Sequence, residues 1–228
     1  MARLLCDALS QAGFDIDIAA RLRSRVGDGN ILRQAQIAEL ASKLAARLLR
    51  QYQNGMRKRP DIWFTYHLYY KAPDWIGPII ADALDIPYVL AEASFAPKRA
   101  TGPWAQSHAA VEHALHRADA VFSLNRADME CLRPLCGQDR LHYLAPFTHT
   151  EKWHVADRGG VNPDTPVQLV TTAMMRPGDK LQSYELLAAA LGKLNARNIT
   201  NWHLTVIGDG PARNDVTAAF TRNAISHD

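Results

Sequence analysis

Residues 169–180 read LVTTAMMRPGDK and residues 203–211 read HLTVIGDGP. Each stretch opens with a short β-branched and aliphatic run, passes into a glycine-containing loop and leads into helical spacing of apolar residues. Two successive strand–loop–helix units leave few folds open. Parallel strands cannot be joined by a hairpin, so the helix between them must cross over one face of the sheet. The first loop carries Arg176 and Lys180, and the second carries Gly208, Asp209, Gly210 and Pro211. Ligands of such sheets bind at the carboxyl ends of the strands, where loop amides and fixed cations suit a phosphate-bearing molecule.

The same alternation runs upstream. Strands are expected at residues 61–66, 87–91, 120–124 and 141–144, with helices at 75–84, 105–117 and 127–135 between them. This rhythm predicts an α/β protein with a parallel sheet covered on both faces. Ahead of it, residues 32–52 form a long amphipathic helix. Ile37, Leu40, Leu44, Leu48 and Tyr52 make its apolar stripe, and Lys43, Arg47 and Arg50 its charged face. The chain opens on a helix at 1–12 closed by Gly13, then a strand at 14–19 where apolar and acidic residues alternate. A doubly wound domain normally opens on a strand and its phosphate or substrate loop. A helix standing there is what truncation, or a wrongly chosen start codon, would leave.

Gly159-Gly160, Asn162-Pro163 and Pro166 mark residues 148–166 as a linker. Residues 1–147 are then one Rossmann-like domain lacking its first strand. Residues 167–228 are the first half of a second domain, with strands at 167–172 and 202–207 and helices at 183–195 and 212–220.

Several classes are disfavoured. A formal charge of +3 is too small to argue for nucleic acid. Cys6, Cys131 and Cys136 are an odd count without metal-ligand spacing, which suits free thiols in a reducing cytoplasm. No apolar run approaches the roughly 18 residues of a membrane span, and the opening is too short for a signal peptide. Gly208-x-Gly210 lacks the third glycine of a dinucleotide fingerprint, and no metal is expected.

Two Rossmann-like domains joined by a linker, the second opening on an arginine–lysine loop, resemble the GT-B glycosyltransferases. More narrowly, the pattern resembles the retaining family 4 enzymes. Residues 175–180, MRPGDK, resemble the loop in which that family sets an arginine and a lysine against the donor diphosphate. Residues 206–211, VIGDGP, resemble its IGDGP segment, and residues 118–123, ADAVFS, its strand before the crossover. Residues 144–153, LAPFTHTEKW, stand at the family's PNGVD…F segment, with Phe147-Thr148 where Gly-Val is usual.

The resemblance implies transfer of a sugar, with retention, from a nucleoside diphosphate sugar to a saccharide or lipid-linked acceptor. It gives Arg176 and Lys180 the diphosphate, and Gly208, Asp209 and Gly210 the nucleotide pocket. It requires no cofactor or metal, because the two cations neutralise the leaving group. The family also carries a Glu-x7-Glu pair. The glutamates here are Glu39, Glu92, Glu112, Glu130, Glu151 and Glu185, and no two have that spacing. The catalytic residues are therefore unassigned, and these residues alone are expected to be inactive.

On the acceptor side, His67 follows the strand at 61–66. It is expected either to reach a sugar or to pack among Tyr66, Tyr69 and Tyr70. Glu92 and Ser94 end the next strand, where Glu92 either accepts sugar hydroxyls or meets Lys98 or Arg99. Lys43, Arg47 and Arg50, with Arg57, Lys58 and Arg59, form a face that either touches anionic lipid headgroups or is simply solvated. The first alternative makes a cytoplasmic protein peripheral at the membrane. Residues 27–30, GDGN, read as a turn. Two other functions fit the same residues: a non-catalytic remnant or partner domain, and another GT-B enzyme such as a sugar-nucleotide epimerase.

Overall fold

The computed structural model describes residues 2–155 and 165–225. The chain divides into two compact units between Trp153 and His154. Gly159-Gly160 and Asn162-Pro163 lie outside the described residues.

The first unit runs α1 (Ala2–Gln11), α2 (Ile31–Gln53), β1 (Trp63–Leu68), α3 (Gly77–Leu84), β2 (Tyr88–Ala93), α4 (Ala105–Arg117), β3 (Ala120–Ser123), α5 (Arg126–Arg140) and β4 (Leu141–Tyr143). Its four strands are parallel and ordered β1-β2-β3-β4. Each crossover steps one strand in the same direction, so right-handed connections bring α3, α4 and α5 to one face. There Tyr88, Leu90, Val121 and Leu141 pack with Ile80, Val111, Leu115 and Leu132, and α2 adds Ala41, Ala45 and Leu48.

The expected cover on both faces is corrected by this order. Tyr66, Ala91, Phe122 and His142 stand in register across the sheet, with Phe64 on the same face. Ala91 is buried and Phe64 37% exposed, Tyr66 and Phe122 are half-buried and His142 is exposed, so this face is only partly covered. Covering that face needs a crossover in the opposite direction, and none between β1 and β4 makes one.

Two further expectations change. The buried line of α2 is Gln34, Ala41, Ala45, Leu48 and Tyr52, while Leu40 is 53% exposed. Alanine adds little to a hydrophobic pattern but permits the close helix approach that sets the buried face. The helix starts where expected, because the Asn30 side chain accepts from the Arg33 amide at 3.0 Å. The Asp28 side chain in turn accepts from the Asn30 amide at 3.2 Å.

The strand expected at 14–19 does not form. Arg57 donates to both Asp17 oxygens at 2.7 Å and to the Ala19 carbonyl at 3.1 Å. Lys58 reaches Asp15 at 3.2 Å. The apolar–acidic alternation therefore presents its carboxylates to a basic run rather than its backbone to a sheet edge. The hydrogen bonds from Arg57 hold the Asp17 carboxyl below its usual range, against a smaller desolvation effect. Arg57→Met is expected to speed tryptic cleavage after Arg21 and Arg23 several-fold while costing no more than about 1 kcal/mol. Cleavage at the parent rate would show that this contact does not hold the segment.

The same pairs engage much of the basic face proposed for a membrane. Lys43 also pairs with Glu39 at 2.6 Å, and Arg59 donates to the Leu84 carbonyl. No helix among the described residues is long and apolar enough to cross a membrane.

The second unit runs β5 (Val167–Thr172), α6 (Asp179–Ala196), β6 (Trp202–Ile207) and α7 (Arg213–Arg222). β5 and β6 are parallel and end together, with Thr172 opposite Ile207. Tyr184, Ala188 and Leu191 of α6 meet Val216, Ala219 and Phe220 of α7 in one core. On the other face Val170 and Ile207 are 65% and 53% exposed.

Candidate functional site

In the second unit the two loops leaving β5 and β6 run side by side at the carboxyl ends of the strands. The Ala173 amide donates to the Ile207 carbonyl at 3.2 Å, and the Met175 amide to the Asp209 carbonyl at 2.9 Å. The Ala212 amide returns to the Met175 carbonyl at 3.0 Å. The loops lie so close that a Cβ on Gly208 would overlap the Ala173 carbonyl, and one on Gly210 the Met175 carbonyl. Glycine is therefore required at both positions by backbone approach. The Tyr184 hydroxyl donates to the Ala173 carbonyl at 2.8 Å and ties the first loop to α6.

Arg176 and Lys180 flank the start of α6. The helix begins after Gly178 without a side-chain cap. The Gln182 amide bonds the Gly178 carbonyl at 3.1 Å, so the amides of residues 179–181 have no partner within the helix. Arg176 is exposed and Lys180 half-buried. Among the described residues neither forms an ion pair, whereas Arg213 and Arg222 face Asp209 and Glu185. Two uncommitted cations, open amides and the positive end of a helix dipole thus share one loop. The Asp209 carboxylate accepts from the Gly210 amide at 2.8 Å while its side chain stays 80% exposed. Its carboxylate shapes the loop.

In the first unit, His67 and Glu92 sit side by side near the carboxyl ends of β1 and β2. The ladder pairs Tyr66 with Ala91 and Leu68 with Ala93 and skips the residues between. Both skipped residues have left-handed backbones, at φ 68° for His67 and 58° for Glu92. Such conformations cost about 1 kcal/mol or more for a residue with a Cβ, and they concentrate at functional sites. The twist turns both side chains to one place, where His67 Nδ1 lies 3.6 Å from Glu92 Oε2. That oxygen is buried without a hydrogen-bond partner.

Burial, and then the neighbouring Glu92, push the Tyr66 hydroxyl up to about 12, so it remains a proton donor. His67 meets Tyr66 at a tilt and Tyr69 edge-on, at ring distances of 5.8 and 4.8 Å, yet keeps 46% of its side chain exposed. His67 thus packs against two of the tyrosines and is still partly exposed. Among the described residues Glu92 meets His67, not Lys98 or Arg99. Ser94 is half-buried, and its amide joins β2 to β1 through the Leu68 carbonyl at 2.8 Å.

Lys71, Tyr70 and Trp104 were not legible as site residues. Tyr70 packs edge-on to Trp104 at 5.1 Å. Lys71 lies 5.8 Å from both rings, and Arg99 lies 5.1 Å from that of Tyr70. The available signal was a lysine directly after an aromatic run at a strand end. Without the fold, nothing joins it to residues 99 and 104.

No protein-family model and no curated protein matches the sequence. Solved structures do. The chain is similar to the apo form of OtsA, with a TM-score of 0.53 and 11% identity over 85% of this chain and 48% of that one. It is also similar to an E. coli structure described as trehalose-6-phosphate bound with UDP-2-fluoro glucose, at a TM-score of 0.52 and 12% identity over 85% and 49% of the two chains. TarM aligns at a TM-score of 0.47 and 12% identity over 80% of this chain and 34% of its own. The chain spans half or less of the length of these three structures. At such identities the likeness to the first two structures shows the fold, which is GT-B, with the second domain incomplete.

Proposed function

We propose that this GT-B chain belongs to a glycosyltransferase that moves a sugar from a nucleoside diphosphate donor to a saccharide or lipid-linked acceptor. The observation that carries the reading is the loop between β5 and α6, where Arg176 and Lys180 stand without ion-pair partners among the described residues, next to open helix amides. Negative charge builds on the diphosphate as the glycosidic bond breaks. Donors fixed in place before that charge appears stabilise the transition state without reorganising. Arginine supplies planar paired donors and lysine a compact charge. The paired glycines let the two loops that would line the nucleotide pocket lie in backbone contact. The similar E. coli structure carries a UDP-sugar analogue, and a uridine diphosphate is the probe to use first.

The glutamate pair that the family resemblance requires is not in this sequence, so binding, not turnover, is the test. Arg176→Ala and Lys180→Ala are each expected to weaken UDP binding in calorimetric titration by about 10- to 100-fold, the loss of one charge-assisted contact. Unchanged affinity in both variants would overturn the diphosphate assignment.

A further inference from the structure

The carboxyl ends of β1 and β2 carry a row of groups that the diphosphate reading does not use. Glu92 and His67 stand at one end. Tyr69 follows, 4.8 Å from His67, then Tyr70, 5.9 Å from Tyr69, and Trp104, 5.1 Å beyond. Cations gather at the far end. Lys71 and Arg99 lie 5.8 and 5.1 Å from the Tyr70 ring, while Arg25 Nε donates to the hydroxyl of Tyr69, in the middle of the row, at 3.4 Å. None of the three forms an ion pair among the described residues. Arg99 Nε is buried and has no hydrogen-bond acceptor. Buried donors are nearly always satisfied, by protein, water or ligand. Glu92 Oε2, likewise buried without a hydrogen-bond partner, lies at the opposite end of the row beside His67.

We infer that this surface binds a saccharide carrying an anionic group, a phosphate or a carboxylate. Sugar hydroxyls lie against Glu92 and His67, and the anion lies between Lys71 and Arg99. The separation of charge sets the orientation. An anion beside Glu92 is repelled, while one beside Tyr70 meets two cations held in place by the rings they stack on. Between them the half-buried Tyr69 and Tyr70 offer apolar ring surface to a sugar, with the buried Trp104 behind Tyr70. Calling this saccharide the acceptor rests on the glycosyltransferase reading; the anion site itself does not.

Titration of the 228-residue protein with glucose 6-phosphate, glucuronate and glucose tests the inference. One or both anionic sugars are expected to bind more tightly than glucose, and the stronger identifies phosphate or carboxylate as the group. Lys71→Met and Arg99→Met keep their apolar stems on the rings. Each is expected to weaken the anionic sugar about tenfold while leaving UDP affinity unchanged. The inference is overturned if glucose binds as tightly as its anionic relatives, if neither anionic sugar binds, or if both variants bind them like the parent. Arg176→Ala, titrated with UDP alone, fails or holds independently, so the two readings can be told apart.

Discussion

Gly208→Ala is expected to abolish measurable UDP binding and to destabilise the second unit by about 3 kcal/mol. The added methyl would occupy the position of the Ala173 carbonyl oxygen, with the Tyr184 hydroxyl 3.2 Å away. Neither neighbour is the free end of a flexible side chain. The Ala173 carbonyl is also the acceptor that ties the loop to α6, so relieving the overlap pulls the first loop from its helix. Gly210→Ala is expected to act alike, because its methyl meets the Met175 carbonyl, which accepts from the Ala212 amide. Gly178→Ala, with nothing within 4 Å of the added atom, is the control without overlap and carries only the strain of its positive φ, about 1–3 kcal/mol. Urea unfolding of the three variants ranks them. A parent-like midpoint for Gly208→Ala would mean that the loops do not run as close as described.

Asp74→Ala is expected to cost the first unit about 4 kcal/mol. The Asp74 carboxyl accepts four hydrogen bonds: the Thr65 hydroxyl at 2.6 Å, the Tyr88 hydroxyl at 2.8 Å, and the amides of Ile76 and Gly77 at 2.9 and 2.8 Å. It thereby caps α3 and joins that helix to β1 and β2 in one group. Tyr88 is fully buried, and burial first, then the Asp74 charge, push its hydroxyl well above the usual range. Truncation leaves that buried hydroxyl without its acceptor. Gly77 packs against the same group, since a Cβ there would stand 2.6 Å from the Tyr88 ring and 2.8 Å from Trp63 Nε1. Gly77→Ala should therefore also destabilise this unit. Both are read by urea unfolding, and a loss under about 1 kcal/mol for Asp74→Ala would remove the network from the account of stability.

Most elements could be read from local pattern, and their exceptions show where pattern stops. The strands at 167–172 and 202–207 are found at those residues, because a β-branched run bounded by turn residues carries its own signal. Residues 14–19 carried a period-2 signal as well. Such a signal says which side chains share a face and not whether a neighbouring strand exists, and Arg57 decided the matter from forty residues away. In α2, period alone set the stripe through Leu40, whereas packing turned the alanines inward.

The candidate site divides in the same way. Arg176, Lys180, Gly208 and Gly210 could be named from sequence, since strand, loop and helix follow one another along the chain and place them by local geometry. The reason both glycines are needed was not visible. It lies in carbonyls of a different loop, and only the parallel pairing of β5 with β6 brings those into contact. His67 and Glu92 were visible as strand-end residues, but their left-handed backbones and their pairing belong to the ladder between β1 and β2. Lys71, Arg99 and Trp104 come from three loops that sequence order keeps apart. Local pattern was enough for the α/β rhythm and for placing the arginine–lysine loop between a strand and a helix, because both depend on near neighbours. Which sheet face is left partly uncovered, and which cations share the Tyr70 ring, depend on contacts between distant segments and so were decided by the tertiary fold.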